Sequence, residues 1–307
     1  MRSLEPDERG ELLVCACGRR YPIVDGVPIV LADPAAYLRA EIATVVEREL
    51  APAVAAALAA GGPDDAPYPR LLEHLSTYLD AHWGDRALPA VDFGLAALAA
   101  KVGARAAHPV ALAVELGCST GRIVGELARG AAAVAGLDLH HGALRRARHV
   151  LDGARLAYAR RMVGRHYAAA HAEAGDRAVA AARRVLVCGD ALDPPFVPGV
   201  FGRVVAFNLL DSVASPRQLL DVLDGLCAPG GEILISSPYA WQSAVLDDRE
   251  RLGAADPAAR VVEIFARELS APYAVEDEAW LAWRLRRDAQ SAVDYRVHYL
   301  RVRKATA

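Results

Sequence analysis

The chain, 307 residues long, predicts an α/β fold built on a parallel, nucleotide-binding sheet, and three observations predict it. The apolar run from Pro109 to Val114 leads into Glu115-Leu116-Gly117-Cys118-Ser119-Thr120-Gly121-Arg122. That pattern reads as a buried strand breaking into a tight glycine turn that opens a helix, because glycine lets backbone N–H groups come close to a ligand. Helical spacing resumes from Ile123 to Ala128, and the next apolar run, Ala131 to Leu137, ends in Asp138. This is the gap of roughly 20 residues at which the second strand of a βαβ unit presents a carboxylate to a ribose diol. Three further segments follow: strand-like runs at Val187–Ala191 and Phe201–Asn208, and Leu226–Ile235, in which a Pro-Gly-Gly turn leads into a strand.

The remaining elements are read in chain order. Residues 1–33 form a small β-rich unit, with strands expected at 12–15, 19–23 and 26–31. Residues 34–108 read as a helical lid or cap. Asp33-Pro34 is a helix start, apolar residues recur at helical spacing from Ala35 to Ala60, and Gly61–Pro67 is a loop. Further helices are expected at 68–82 and 88–102. Residues 109–307 form the domain that holds this sheet, with a long helical stretch over 142–183 between its second and third strands. Ala279–Arg287 and Tyr295–Arg303 alternate and read as a sixth and a seventh strand.

Composition bounds the function. The net charge of −3 gives no general argument for a nucleic-acid or membrane partner. Lys stands only at 101 and 304 beside abundant Arg and Ala, so arginine pairs such as Arg160-Arg161 and Arg183-Arg184 are read as solvated faces. The apolar stretch Leu50–Ala60 is too short to span a bilayer, and no basic segment precedes an apolar signal core, so the expected location is cytoplasmic. Five cysteines, at 15, 17, 118, 188 and 227, read as reduced thiols. Cys118 is expected to fill the turn, not to act as a nucleophile.

The dinucleotide fingerprint needs Gly where this chain has Ser119, which argues against a nicotinamide cofactor. A Glu-x-Gly-x-x-x-Gly turn with a downstream Asp resembles instead the first two motifs of the S-adenosylmethionine-dependent methyltransferases. Val187–Ala191, Phe201–Asn208 and Leu226–Ile235 resemble the third, fourth and fifth strands of that family. The resemblance implies a Rossmann-like seven-stranded sheet with the last strand antiparallel. It implies S-adenosylmethionine as cofactor, with S-adenosylhomocysteine as product. Cofactor contacts then fall to Glu115, Gly117, Cys118, Ser119, Gly121, Arg122, Asp138, Leu139, Asp190, Ala191 and Asn208, with Asp138 at the ribose and Asp190 at the adenine amino group. His140-His141 follows directly, and adjacent histidines on a turn rarely share one metal ion.

Residues Cys17–Leu31 resemble the second half of the small Trm112 family module. The first cysteine pair of its metal-binding members is missing, and the remaining pair is Cys-x-Cys. Two ligands do not close a tetrahedral zinc site, so the module is expected to be metal-free.

Four segments resemble the 4-mercaptohistidine N-methyltransferases of ovothiol biosynthesis: Tyr78–Gly84, Gly117–Arg122, Asn208–Ser212 with Pro216-Arg217, and Ser237–Trp241. The likeness implies Asn208, Asp211, Tyr78 and His82 as catalytic residues, with Trp83, Tyr239, Trp241 and Arg284 around the acceptor. Asp211 either accepts from an acceptor N–H or caps a helix starting there. Two departures, Trp283–Asp288 near the sixth strand and the N-terminal module, leave related imidazole, thiol, selenol and other amino-acid-derived acceptors open. The expected activity is methyl transfer to a nitrogen of a small, histidine-derived thiol or selenol. The rival readings are a methyltransferase of tRNA, rRNA, protein or another natural product, and a scaffold that has lost its cofactor.

Overall fold

The computed structural model describes residues 4–61, 76–84, 95–253 and 255–306. At the N-terminus, β1 (Leu4–Pro6), β2 (Leu12–Cys15), β3 (Arg20–Val24) and β4 (Val27–Pro28) pair antiparallel in sequence order. The strand expected over 26–31 is cut short after Pro28. Ile29 then bridges Cys188, at the edge of the large sheet, and the Val30 N–H donates to the Cys188 carbonyl at 2.8 Å. The small sheet is thereby tied to the large one.

Two helices follow. In α1 (Pro34–Val46), Asp33 Oδ1 accepts from the Ala36 N–H at 2.9 Å and Pro34 opens the first turn. The apolar spacing read over 35–60 is divided, since Glu41 leaves helical geometry and Pro52 starts α2 (Pro52–Ala60). Of the helices expected at 68–82 and 88–102, the described residues contain α3 (76–83) and α4 (Ala96–Gly103). The rest of both, and the loop beyond Gly61, lie outside the described residues.

The large sheet is assembled from β5 (Val110–Leu116), α5 (Arg122–Leu127), β6 (Ala131–Asp138), α6 (His141–Leu151), a β7 (Leu156–Val163) to β8 (His166–Ala172) hairpin, β9 (Arg184–Cys188), β10 (Phe201–Phe207), α7 (Pro216–Leu226), β11 (Cys227–Ser237), α8 (Pro257–Arg267), β12 (Tyr273–Arg286) and β13 (Ala292–Lys304). Its strand order is β12-β13-β11-β10-β5-β6-β9, with β9, β6, β5, β10 and β11 parallel. The chain's last strand, β13, inserts antiparallel between β11 and β12. This is the seven-stranded, Rossmann-like arrangement expected.

Both faces of the sheet are covered, which is why its central strands are apolar on both sides. On one face, Leu98, Ile123, Leu144 and Val150 pack on Ala113, Val134, Val205 and Tyr299. On the other, Leu219, Leu223, Ile264 and Phe265 pack on Val114, Val204, Ile233 and Leu300. Beneath α4, Arg203 and Glu232 form a buried ion pair between β10 and β11, Nε to Oε1 at 2.6 Å, both at most 2% exposed.

One expectation is corrected. The segment 142–183 is not a long helix: α6 ends at Leu151, and 156–172 is the antiparallel β7–β8 hairpin. Alanine and arginine favour helix locally, but pairing buries Tyr158, Ala159, Ala170 and Ala172, and α2 packs on the hairpin. The tertiary burial wins. Arg160 and Arg184 are not solvated either. Arg160 reaches Asp80 at 3.3 Å, and Arg184, 4% exposed along its side chain, is bound to Asp152 and the Val179 carbonyl.

Candidate active site

Every strand of the parallel set ends on the same edge of the sheet, and there the backbone turns sharply. Gly117 (φ 75°) and Gly121 (φ 82°) are left-handed, and so are Ser119 (φ 47°), Asn208 (φ 52°) and Tyr239 (φ 54°). Gly121 has a second constraint, since a Cβ there would lie 2.9 Å from the Ala147 Cβ of α6. Non-glycine residues held in this region cost about 1 kcal/mol or more, and such residues cluster at functional sites.

The turn after β5 is locked from the next strand. The N–H groups of Gly117 and Cys118 donate to the Leu137 carbonyl at 2.8 and 3.0 Å. Asp138 Oδ2 accepts from the Ser119 N–H at 2.7 Å, and its Oδ1 accepts from the His140 N–H at 2.8 Å. His140 then caps α6 by accepting from the Ala143 N–H at 3.1 Å. Asp190, beyond β9, accepts from the Leu192 N–H at 2.8 Å. Asn208 Oδ1 accepts from the Ser236 hydroxyl at 2.9 Å, which leaves its NH₂ as the donor end.

These turns enclose a groove in two halves that share Gly117, Asp138, Leu209 and Ser212. One half, about 350 Å³, is lined by Leu139, Asp190 and Ala191. The other, about 190 Å³, is lined by Tyr78, His82, Glu115, Phe207, Asn208 and Trp283 among others. Among the described residues no Arg or Lys lines either half.

Burial sets the electrostatics of the inner half. The Glu115 carboxyl is pushed well above the usual carboxylate range by burial and then by the nearby Asp138 charge, and its Oε2 has no partner. Burial pushes His82 down to about 3, helped by Arg122, so its imidazole is neutral, and its Nδ1 has no partner. Tyr78 is pushed up to about 12 by burial and by the charges of Asp138 and Asp211. Burial also raises Asp211, whose Oδ2 accepts from the Ala240 N–H at 3.0 Å while Oδ1 has no partner. Asp211 is not a helix cap: Ser215 caps α7. Cys118 is fully buried and its thiol is raised by burial, so it has no nucleophilic character.

Several expected site residues lie elsewhere. Arg122 binds Glu126 at 3.0 Å, stacks 5.5 Å over the Trp83 ring and donates to the His82 carbonyl at 3.2 Å. Trp83 donates from Nε1 to the Thr120 carbonyl at 2.7 Å, and Trp83 and Arg122 line a separate cleft. Arg284 is paired with Asp294 across the β12–β13 hairpin. Tyr239 binds His298 Nδ1 at 2.8 Å and packs on Trp241, and neither ring lines the two halves of the groove. At the N-terminus, Cys17 approaches Cys15 at 2.6 Å between sulfurs. Among the described residues no group of three or more His, Cys, Asp or Glu could hold a metal ion.

Trp283 is the residue that sequence reasoning missed. It is buried, stacks on Tyr295 with centroids 4.9 Å apart and lines the inner half of the groove, and its Nε1 has no partner. His140 also lines that half, although its place next to Asp138 had suggested the adenine side.

A methyltransferase-domain family matches residues 114–235, the segment that holds the glycine turn, Asp138, Asp190 and Asn208. Comparison with curated proteins gives no match. Among solved structures the chain is similar to the N-methyltransferase NodS from Bradyrhizobium japonicum, at 14% identity and a TM-score of 0.42, over 79% of this chain and 99% of that one. It is also similar to magnesium protoporphyrin IX methyltransferase from Synechocystis, at 11% identity and a TM-score of 0.45, over 89% and 99%. At such scores nothing about the reaction of this chain follows from those neighbours.

The site itself fits S-adenosylmethionine. That ligand carries an ammonium and a sulfonium, and a buried Glu115 carboxyl with an unpaired oxygen beside Asp138 can ionise against a bound positive charge. Residues 114–235 match a methyltransferase domain, and S-adenosylmethionine-dependent methyl transfer is the activity this site supports.

Proposed function

We propose that the chain methylates a ring nitrogen of a small imidazole-derived thiol or selenol metabolite. The observation that carries this reading is the inner half of the groove, which Tyr78, Phe207, Trp283 and a neutral His82 line together. A flat, neutral heterocycle suits such walls, and an imidazole nitrogen already has the lone pair the reaction uses, so no strong base is required.

In this reading Glu115 faces the cofactor's ammonium, Asp138 its ribose diol, and Asp190 with Leu139 and Ala191 its adenine. The cofactor supplies a methyl group on a sulfonium. The chain's task is alignment and exclusion of water, which together supply several kcal/mol of rate enhancement. Asn208, fixed by Ser236, offers its NH₂ to the acceptor or to the methionine end. Asp211 Oδ1, Tyr78 or His82 selects the tautomer by accepting from the N–H of the ring nitrogen that is not methylated. The Trp283 N–H is a buried donor for the acceptor's carboxylate.

The test is a calorimetric titration of the full chain with S-adenosylhomocysteine, followed by 4-mercaptohistidine and then histidine. Saturable binding of the thiol compound only after the product cofactor supports the reading. Cofactor binding with no response to either imidazole removes the proposed acceptor and keeps the methyltransferase.

A further inference from the structure

We infer that Cys15 and Cys17 form a redox-active dithiol, a modification site that exchanges with small disulfides and closes to an intramolecular bond. It is independent of the acceptor proposed above. The pair sits in the turn between β2, which Cys15 ends, and β3, which Arg20 begins. Two backbone bonds fix that turn: the Cys15 N–H donates to the Arg19 carbonyl and the Gly18 N–H to the Cys15 carbonyl, both at 2.8 Å. Gly18 takes the left-handed conformation (φ 87°) that the reversal needs. Although Ala16 stands between the two cysteines, the turn brings their side chains together. The sulfurs lie 2.6 Å apart, and the Cys17 N–H donates to the Cys15 sulfur at 3.3 Å. The backbone thus already holds both side chains aimed at each other, which is the condition a disulfide sets.

The other three cysteines supply the contrast. Cys118, Cys188 and Cys227 are buried. Burial raises the Cys118 thiol and pushes Cys188 up to about 12 and Cys227 up to about 11, so all three stay protonated and out of reach. Cys17 is exposed and Cys15 half-buried. Hydrogen bonding from Cys15, then from the Arg19 backbone, lowers the Cys17 thiol, and the Arg19 charge acts in the same direction. No described atom lies within 4 Å of the place a Cβ would take at Gly18, so an incoming disulfide has room beside the pair. None of residues 15–19 lines the cofactor groove. A cysteine exchanges readily when it has thiolate character, access and a second thiol at hand, and Cys17 has all of them.

The exchange balances without any group from the chain beyond the two thiols. Cys17 loses its proton to solvent, and the thiolate attacks one sulfur of the small disulfide. A mixed disulfide on Cys17 forms, and one small thiolate leaves and takes up a proton. Cys15, deprotonated in turn, attacks the Cys17 sulfur, forms the Cys15–Cys17 bond and expels the second small thiolate, which is also protonated. The two cysteines are oxidised by two electrons, and the small disulfide is reduced to two thiols.

The probe is glutathione disulfide, added to the full, reduced chain without denaturant and followed by intact mass and thiol titration. The expected product lacks two hydrogens, has two fewer thiols, shows the new bond between Cys15 and Cys17 on peptide mapping, and returns to its starting mass with dithiothreitol. Cys15→Ser removes the resolving thiol and is expected to stop with one glutathione on Cys17. Cys17→Ser removes the attacking thiol and should react about tenfold more slowly, at Cys15. Both variants should bind S-adenosylhomocysteine like wild type, which reports that the fold is kept. A wild-type chain that ends as a stable glutathione adduct, or that does not react, overturns the site. So does a Cys17→Ser variant that reacts as fast as wild type.

Discussion

His82 gives a prediction that works directly from its burial. The imidazole is held down to about 3 from an ordinary 6.5, mainly because its charged form has no water. A histidine whose folded value is depressed leaves the unfolded chain binding more protons between the two values. Stability is therefore fully present above pH 6.5 and is lost as pH falls toward 3. Each pH unit inside that window costs about 1.4 kcal/mol, so at about pH 5 the loss is about 2 kcal/mol. His140, pushed down to about 4 by burial and Arg146, acts with the same sign, so the wild-type slope alone does not isolate His82. The perturbation is His82→Phe, which keeps a ring against Tyr78 and removes the titrating nitrogen. Urea unfolding of both proteins at about pH 7.5 and about pH 5 reads the difference, and the wild-type advantage over the variant should shrink by about 2 kcal/mol. Parallel stability curves would refute the reasoning, since they would mean that His82 is protonated or hydrated in the fold.

Three other outcomes follow from the site and the core. Asp138→Ala should weaken S-adenosylhomocysteine binding about 10- to 100-fold, the cost of one charge-assisted bond to a diol, and unchanged affinity would move the ribose off β6. Glu115 has a raised carboxyl and an unpaired oxygen, so cofactor affinity should climb with pH as it ionises against the ligand's ammonium. Glu115→Gln should flatten that climb in the same titration, and a retained slope would assign it to another group. Glu232→Gln strips the buried Arg203 of its counter-charge and should cost about 3–5 kcal/mol in denaturant unfolding; a loss under about 1 kcal/mol would show that Arg203 is solvated.

The sheet was legible in the sequence because its signals are local. A glycine turn and a carboxylate one strand later each follow an apolar run, a Pro-Gly-Gly turn precedes another, and backbone sterics tie such residues to strand ends. The β7–β8 hairpin was not legible, since its Ala- and Arg-rich strands carry helical propensity and only α2 and cross-strand pairing make them sheet. Trp283 was missed for a related reason. Its place in the groove depends on the register that sets it opposite Tyr295, and strand alternation alone does not say which face meets a cavity fifty or more residues away in sequence. Arg122 shows a competing local rule. An arginine opening a helix beside a glycine turn looks like a ligand contact, but Glu126 stands four residues on and claims it.

Arg122 and Trp83 acquire a different meaning once they are removed from the groove. Trp83 bonds the Thr120 carbonyl inside the glycine turn, and Arg122, from the end of that turn, bonds the His82 carbonyl and stacks on Trp83. The two residues staple α3 to the loop that would cradle the cofactor. Because His82 lies between Tyr78 and that staple, any displacement of the turn is transmitted to the wall of the inner half, and the reverse also holds. The same staple forms one side of the second cleft, where Trp83 and Arg122 meet Arg160 and Arg177. α3 thus stands between the groove and that cleft, with His82 lining one and Trp83 the other.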